Sequence, residues 1–304
     1  MNKTIRIATR ESKLAVWQAH CVQQLLSETG IQSELIFIKS EGDVNLVTPL
    51  YELGVQGIFT RSLDIALIEN KADIAVHSYK DVPTQPASGL SVGAVLKRGN
   101  HLDMLVTNKN KHTETPDLET LRIIATSSIR RKAQWLHRYP GTVIDNIRGN
   151  VNTRLQKLSE ANWDAAIFAA AGLERLNLTP PETGIQQILD WMIPAPAQGA
   201  VAVVCRNNDA EVKSICEPLH DTETGLCTNA ERNFLRFLQG GCSTPISAYA
   251  IIRNGKMTFT GNVTATDGTK SLDICFESDA DDPTLAKRCA DEMISQGFET
   301  IKLS

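Results

Sequence analysis

The sequence predicts an α/β protein with two doubly wound units, followed by a small α+β unit built on a three-stranded antiparallel sheet. Three observations predict it. Short apolar runs alternate with stretches whose apolar residues recur at helical spacing. That alternation restarts after about residue 100. From residue 246 onward, strand-like runs are separated by Asn254-Gly255 and Asp267-Gly268, the residue pairs that hairpin turns demand.

The elements follow in order. Thr4–Thr9 alternates as a strand, with Ile5 and Ile7 on one face. After Arg10-Glu11-Ser12, the residues Leu14, Trp17, Cys21 and Leu25 mark a helix that Gly30 ends. Glu34–Ile38 reads as a strand, Ser62–Asn70 as a helix, and Asp73–Val76 as a buried strand running into His77-Ser78-Tyr79-Lys80-Asp81-Val82-Pro83. Alternation of this kind argues for a parallel sheet.

In the second unit, Leu121–Ala125 is a strand, followed by Thr126-Ser127-Ser128-Ile129-Arg130-Arg131 and a helix through Trp135. Val143–Ile147 leads into Arg148-Gly149-Asn150 and a helix aligned on Val151, Leu155 and Leu158. Ala165–Ala170 is a buried strand before Gly172-Leu173-Glu174-Arg175. Pro194 and Pro196 then interrupt the chain, and Ala200–Cys205 reads as a strand returning to the first domain. Ala230–Leu238 is a helix, Ile246–Arg253, Met257–Thr264 and Ser271–Glu277 are strands, and Leu285–Gln296 is a helix.

Composition excludes several classes. With 304 residues, 42% hydrophobic and 22% charged, the chain can bury ordinary cores in two or three domains. No apolar stretch is long enough to span a bilayer, and the start carries no apolar export segment, so a cytoplasmic location is expected. The seven cysteines include no Cys-x-x-Cys pair, so reduced thiols are expected. The histidines lack metal-ligand spacing, and no metal is expected. A net charge of −4 argues against a general nucleic-acid surface.

Against that mild acidity the arginines stand out, because they fall where strands end, and ligands of open α/β sheets bind there. Thr126-Ser127-Ser128 opens a helix, whose free N–H groups and hydroxyls can hold an anion. Arg130, Arg131, Arg148, Arg154 and Arg175 can each grip a carboxylate through two parallel hydrogen bonds. The bland alternative makes Ser127 or Ser128 an N-cap and leaves the arginines in solvent. There is no Walker loop and no Gly-x-Gly-x-x-Gly after a strand. Arginines spread over two units suit a ligand with separated carboxylates better than one compact phosphate. Asp81, beside Lys80, could stabilise a developing cation and pass a proton, or be half of a surface ion pair. His77, ending an apolar strand, reads more readily as a hydrogen-bonded packing residue than as a catalyst.

The remaining signal is Gly240-Gly241-Cys242-Ser243-Thr244-Pro245. A glycine there can take the left-handed conformation that closes a helix, leaving Cys242 on an uncrowded loop suited to covalent attachment. Alone, such a thiol reads as a small buried hydrophobe.

Taken together, these motifs resemble the porphobilinogen deaminase (hydroxymethylbilane synthase) family. The matching segments are Ile7-Ala-Thr-Arg-Glu-Ser12 with Trp17-Gln18, His77 to Pro83, Thr126 to Arg131, Arg148 to Arg154, Ala171 to Arg175, Pro196 to Ala200, and Gly240-Gly-Cys242. They keep the family's order over nearly the whole chain. Gln56, Leu102, Ala125 and Gln239 depart from its pattern.

The resemblance implies two periplasmic-binding-protein-like (type II) domains and a third domain bearing the cofactor cysteine. The expected division is 1–99 plus 197–217, 100–196, and 218–304. It implies a transferase that condenses four porphobilinogen molecules, with loss of ammonia, onto a dipyrromethane joined to Cys242 by a thioether, and releases hydroxymethylbilane by hydrolysis. It makes Asp81 the catalytic carboxylate, and Lys80, Thr126, Ser127, Ser128, Arg130, Arg131 and Arg154 cofactor-binding residues. Arg10, Ser12, Gln18, Arg148 and Arg175 become substrate-binding residues, and a monomer is expected. The competing reading is a two-domain binding protein for a polycarboxylate anion, without catalysis.

Overall fold

The computed structural model describes residues 4–39, 60–180, 182–241 and 244–301. Gln56 and Cys242 lie outside the described residues. In chain order the main elements are β1 (Ile5–Thr9), α1 (Lys13–Glu28), β2 (Ser33–Phe37), α2 (Arg61–Ile68), β3 (Ile74–Ser78), β4 (Leu90–Val95) and β5 (Asp103–Thr107). There follow β6 (Ile123–Ala125), α3 (Ile129–Arg138), β7 (Val143–Asp145), α4 (Val151–Glu160), β8 (Ala165–Ala169), α5 (Ala170–Arg175) and β9 (Gln186–Leu189). The chain closes with β10 (Val201–Arg206), α6 (Ala210–Cys216), α7 (Thr222–Phe237), β11 (Ile246–Arg253), β12 (Lys256–Thr264), β13 (Ser271–Asp279) and α8 (Leu285–Ser295). Among the described residues, no helix is long and apolar enough to cross a membrane.

The chain forms two compact units. The first contains the described residues up to Gly99 together with Gly199–Leu226. Its sheet has the order β2-β1-β3-β10-β4. Strand alternation sends successive side chains to opposite faces. Ile7, Ile74, Val76 and Val203 pack with Ala19, Val22 and Leu26 of α1, whereas Ala8, Ala75 and Val204 pack with Leu63 and Leu67 of α2. Both faces are covered, so the strands read as continuous apolar runs.

The second unit contains Asn100–Gln198 and the described residues from Cys227 onward. Its larger sheet has the order β7-β6-β8-β5-β9. Trp135 of α3 covers one face with Ile124 and Ile167, and Leu158 of α4 covers the other with Ala125, Ala166 and Phe168. The three-stranded sheet β11-β12-β13 is antiparallel, as its turn pairs predict. Phe234 of α7 meets Phe259 of β12 edge-on, with ring centroids 5.2 Å apart.

Both five-stranded sheets are mixed rather than parallel. β10 runs antiparallel to β3 and β4, and β5 runs antiparallel to β8 and β9. The departure follows from the connections, because β10 belongs to the segment that returns after Asn100–Gln198 and enters from the opposite end. This order is that of the type II binding-protein-like fold expected from the resemblance. β4 escapes a reading by periodicity because Gly93 interrupts it. A Cβ there would lie 3.0 Å from Cys205 Sγ and 3.3 Å from Cys216 Cβ, so β10 and α6 leave no room for a side chain.

Two further details correct the sequence reading. α7 begins at Thr222, well before Ala230. Gly225 weakens the helical signal there, and its missing side chain seats the His220 ring, 2.5 Å from where a Cβ would stand. At the other end of α7 the left-handed residue is Gln239, with φ 53°, not a glycine. The Gly240 N–H then reaches the Leu235 carbonyl at 2.9 Å, closing the helix in a Schellman turn. Gly240 is needed for space, since a Cβ would lie 2.5 Å from Ile246 Cδ1 and 2.6 Å from Leu235 Cδ1.

Candidate active site

In the first unit, β1 and β3 are adjacent and parallel, so the segments that follow them leave the same edge of the sheet. Arg10 and Ser12 lie on the first segment, and Tyr79–Asp81 forms a 3-10 turn on the second. Ser12 N-caps α1, its Oγ accepting from the Ala15 N–H at 3.4 Å. Gln18, facing inward from α1 and 2% exposed, donates through Nε2 to Ser78 Oγ at 2.9 Å. Tyr79 is buried, and its N–H bonds the Ala200 carbonyl at 3.0 Å. That anchor leaves Lys80 and Asp81 half-buried at the sheet edge. Arg10, Ser12, Gln18, Lys80 and Asp81 are thus brought together in this unit.

His77 sits just before this turn. It is buried, and its Nε2 has no hydrogen-bond partner among the described residues. The expectation of a satisfied packing residue is therefore not met at that atom. Burial, aided by the charge of Arg10, pushes the imidazole down from 6.5 to about 3. A group that is neutral near pH 7 cannot serve there as a cationic acid. Its unfolded form binds a proton below about pH 6.5 that the folded form refuses down to about pH 3, so stability falls as pH falls through that window. Lowering the pH from 7 to 5 is expected to cost about 2 kcal/mol through this residue. The fall in melting temperature between those pH values should shrink in His77→Gln. An equal fall in both proteins would assign the acid sensitivity to other groups.

In the second unit, β6 lies between β7 and β8, parallel to both. The residues following these strands gather at one edge. Thr126 is buried, and its Oγ1 accepts from the Ser128 N–H at 3.2 Å. Ser127 Oγ donates to the Ile147 carbonyl. Ser128 N-caps α3, accepting from the Arg131 N–H at 3.4 Å. The capping role weighed for Ser128 is therefore its role in this structure. Arg148 is 4% exposed, and burial pushes its guanidinium below its ordinary value. Arg154 Nε donates to the Gly149 carbonyl at 2.8 Å. Gly149 has φ 119°, and a Cβ there would lie 2.8 Å from Thr153 Cγ2, so glycine is required where Arg148 is presented. Arg175 ends α5, half-buried.

Arg130 and Arg131 are 4% and 5% exposed and share one counter-ion, Asp103, which is 0% exposed. Arg130 Nη2 lies 2.8 Å from Asp103 Oδ2, and Arg131 Nη2 lies 2.8 Å from Asp103 Oδ1. Arg131 also donates through Nε to Asp103 and through Nη1 to the Ile167 carbonyl, at 3.0 and 2.8 Å. Arg130 Nη1 holds the Ile193 carbonyl at 2.8 Å. Burial pushes Arg130 down and Asp103 counteracts it, leaving a guanidinium that stays charged. Arg130 Nε is buried with no hydrogen-bond partner among the described residues. A buried cationic donor left unsatisfied is costly. It suits a bound carboxylate, and so do two arginines that share a single aspartate among the described residues. The residues present therefore fit a polycarboxylate group.

Sequence reasoning gave no site role to Asp103 or to its neighbour Gln198, although Gln198 lies within the matching segment Pro196 to Ala200. The available signal was a lone acid heading the apolar run Met104-Leu105-Val106. Among the described residues, no cluster of His, Cys, Asp and Glu could hold a metal ion.

Each unit thus contains one doubly wound α/β sheet with polar residues at its strand ends. The family profile described as porphobilinogen deaminase, dipyromethane cofactor binding domain, matches residues 5–214, and that of the porphobilinogen deaminase C-terminal domain matches residues 225–295. The chain belongs to the porphobilinogen deaminase family. Membership carries the family's dipyrromethane cofactor and its reaction, the condensation of porphobilinogen into hydroxymethylbilane.

Solved structures of similar fold include the periplasmic domain of B. pertussis BvgS, at 18% identity over 71% of this chain and 39% of that one, with a TM-score of 0.42. The GluR0 ligand-binding core in complex with L-glutamate matches at 10% identity over 71% of this chain and 90% of that one, with a TM-score of 0.41. The second substrate-binding domain of a putative amino acid ABC transporter from Streptococcus pneumoniae matches at 11% identity over 71% and 90%, with a TM-score of 0.46. At these identities the likeness concerns the fold, and it does not favour the non-catalytic binding-protein reading.

Proposed function

We propose that the chain performs its family's reaction with Asp81 as the catalytic carboxylate and Cys242 as the thioether anchor of the dipyrromethane. Lys80, Thr126, Ser127, Ser128, Arg130, Arg131 and Arg154 hold that group, and Arg10, Ser12, Gln18, Arg148 and Arg175 hold the incoming porphobilinogen. The family match over 5–214 and 225–295 carries this reading. The arginines at strand ends and the unsatisfied Arg130 Nε support it.

When bound, the dipyrromethane supplies the primer on which pyrroles are condensed. The chain's own residues supply the electrostatics. Each pyrrole unit bears two carboxylates, so the growing product is strongly anionic, and arginine forks match those groups in geometry and charge. Asp81 accepts a hydrogen bond from the pyrrole N–H of the substrate. Its negative charge stabilises the cation that forms as the aminomethyl nitrogen departs as ammonia. Gln18, locked to Ser78, holds α1 against the Tyr79–Asp81 turn. We further propose three domains, 1–99 plus 197–217, 100–196 and 218–304, in a cytoplasmic monomer, although the compact units put the return to the first unit at Gly199 and its end at Leu226.

Intact-mass measurement tests the anchor. Active protein should be heavier than its sequence by a linked pair of pyrroles, and Cys242→Ser should abolish both the increment and turnover. An increment that persists in the serine variant would move the attachment to another residue.

A further inference from the structure

Gln198 stands at the centre of a buried network in the second unit that carboxylate binding does not by itself explain. It is 1% exposed and follows the segment Pro194-Ala195-Pro196-Ala197. Its Nε2 donates to Asp103 Oδ1 at 3.0 Å and to the His101 carbonyl at 2.9 Å. The same carboxylate takes Arg131 on Oδ1 and Arg130 on Oδ2. One neutral amide therefore grips the counter-ion that both arginines share.

The backbone presenting Gln198 is itself held. Ala197 has φ 61°, a left-handed conformation that is unfavourable for a residue with a Cβ. Its N–H donates to Glu231 Oε2 at 2.6 Å. Glu231 is 0% exposed, and its other oxygen takes the Ala250 N–H at 2.8 Å. The Gln198 N–H closes the turn on the Ala195 carbonyl at 2.9 Å. A strained residue persists where its surroundings over-determine it, and here two elements distant in sequence do so.

A carboxylate turns about a broad, soft torsion, so Asp103 needs more than charge to hold one orientation. From this network we infer that Gln198 is a positioning residue: by fixing Asp103 it sets the Arg130–Arg131 pair, and with it the direction in which Arg130 Nε is offered to a carboxylate of the ligand. This rests on the proposed carboxylate binding by Arg130. Because Gln198 is neutral, its loss leaves the charge balance of the cluster unchanged and loosens only its geometry.

The test uses Gln198→Met, near in size and without a donor, beside Arg130→Lys and the double variant. Apoprotein from cells unable to make porphobilinogen is incubated with porphobilinogen, and the share of chains gaining the pyrrole increment is followed by intact mass. Steady-state constants are measured in parallel. Gln198→Met is expected to slow loading about tenfold and to raise KM about tenfold, with kcat changed less than about threefold. Adding it to Arg130→Lys should do little more, since both act on the same donor. Wild-type loading and KM in Gln198→Met, or effects that multiply in the double variant, would overturn the assignment. If Arg130→Lys alone leaves both readouts unchanged, the carboxylate-binding reading falls, and this one with it. Where Gln198→Met does not fold, Gln198→Asn replaces it. The asparagine variant keeps an amide on a shorter stem, and an unchanged KM in it is equally fatal.

Discussion

Asp81→Asn is expected to lower the rate of condensation by about two to four orders of magnitude while leaving the protein folded and much of its ligand binding intact. The substitution is nearly isosteric. Asp81 ends a 3-10 turn held by buried Tyr79 and is itself half-buried, so the turn does not depend on its charge. On the proposed role, what disappears is a negative charge beside a developing cation. In a partly water-excluded site that charge acts without reorganisation, which is why its removal falls on the rate rather than on binding. Single-turnover measurement with porphobilinogen isolates this step from product release. A decrease of less than about tenfold would remove Asp81 from the catalytic role.

The second large effect is on stability. Asp103→Ala should lower the melting temperature by about 10 °C, corresponding to roughly 3–5 kcal/mol. Asp103 is 0% exposed and is the counter-ion of two arginines that are 4% and 5% exposed. Truncation leaves two buried guanidiniums facing each other without compensation, and the cost is their stranded charge rather than the lost attraction. Asp103→Asn should fall between the two proteins, because it keeps an acceptor but loses the charge. A melting temperature within about 2 °C of wild type in the alanine variant would show that water or a rearranged side chain satisfies the pair.

These expectations rest unequally on sequence and structure. The strands β1, β11 and β12, the helix α1 and the hairpin turns were legible because their signals are local. Alternation, N-caps and Asn-Gly pairs act within a few residues. β4, β5 and β9 were not legible, because they are short, and Gly93 interrupts β4 for the sake of Cys205 and Cys216 on other elements. The start of α7 was hidden in the same way by Gly225, whose reason is the His220 ring. Asp81, Lys80 and the arginines were found through their motifs at strand ends. The roles of Asp103 and Gln198 were not legible, because their partners are 28 and 95 residues away.

By itself the sequence determined that this chain folds as alternating α/β units with an antiparallel C-terminal sheet, and that cations collect where strands end. It also carried the order of motifs that places the chain in its family. The tertiary structure alone decided that both five-stranded sheets are mixed, and that Arg130 and Arg131 answer to one buried aspartate. The reason is range. Backbone propensity and periodicity are properties of neighbouring residues, whereas burial of charge, and the pairing that makes it tolerable, depend on which distant segments the fold brings within hydrogen-bond reach.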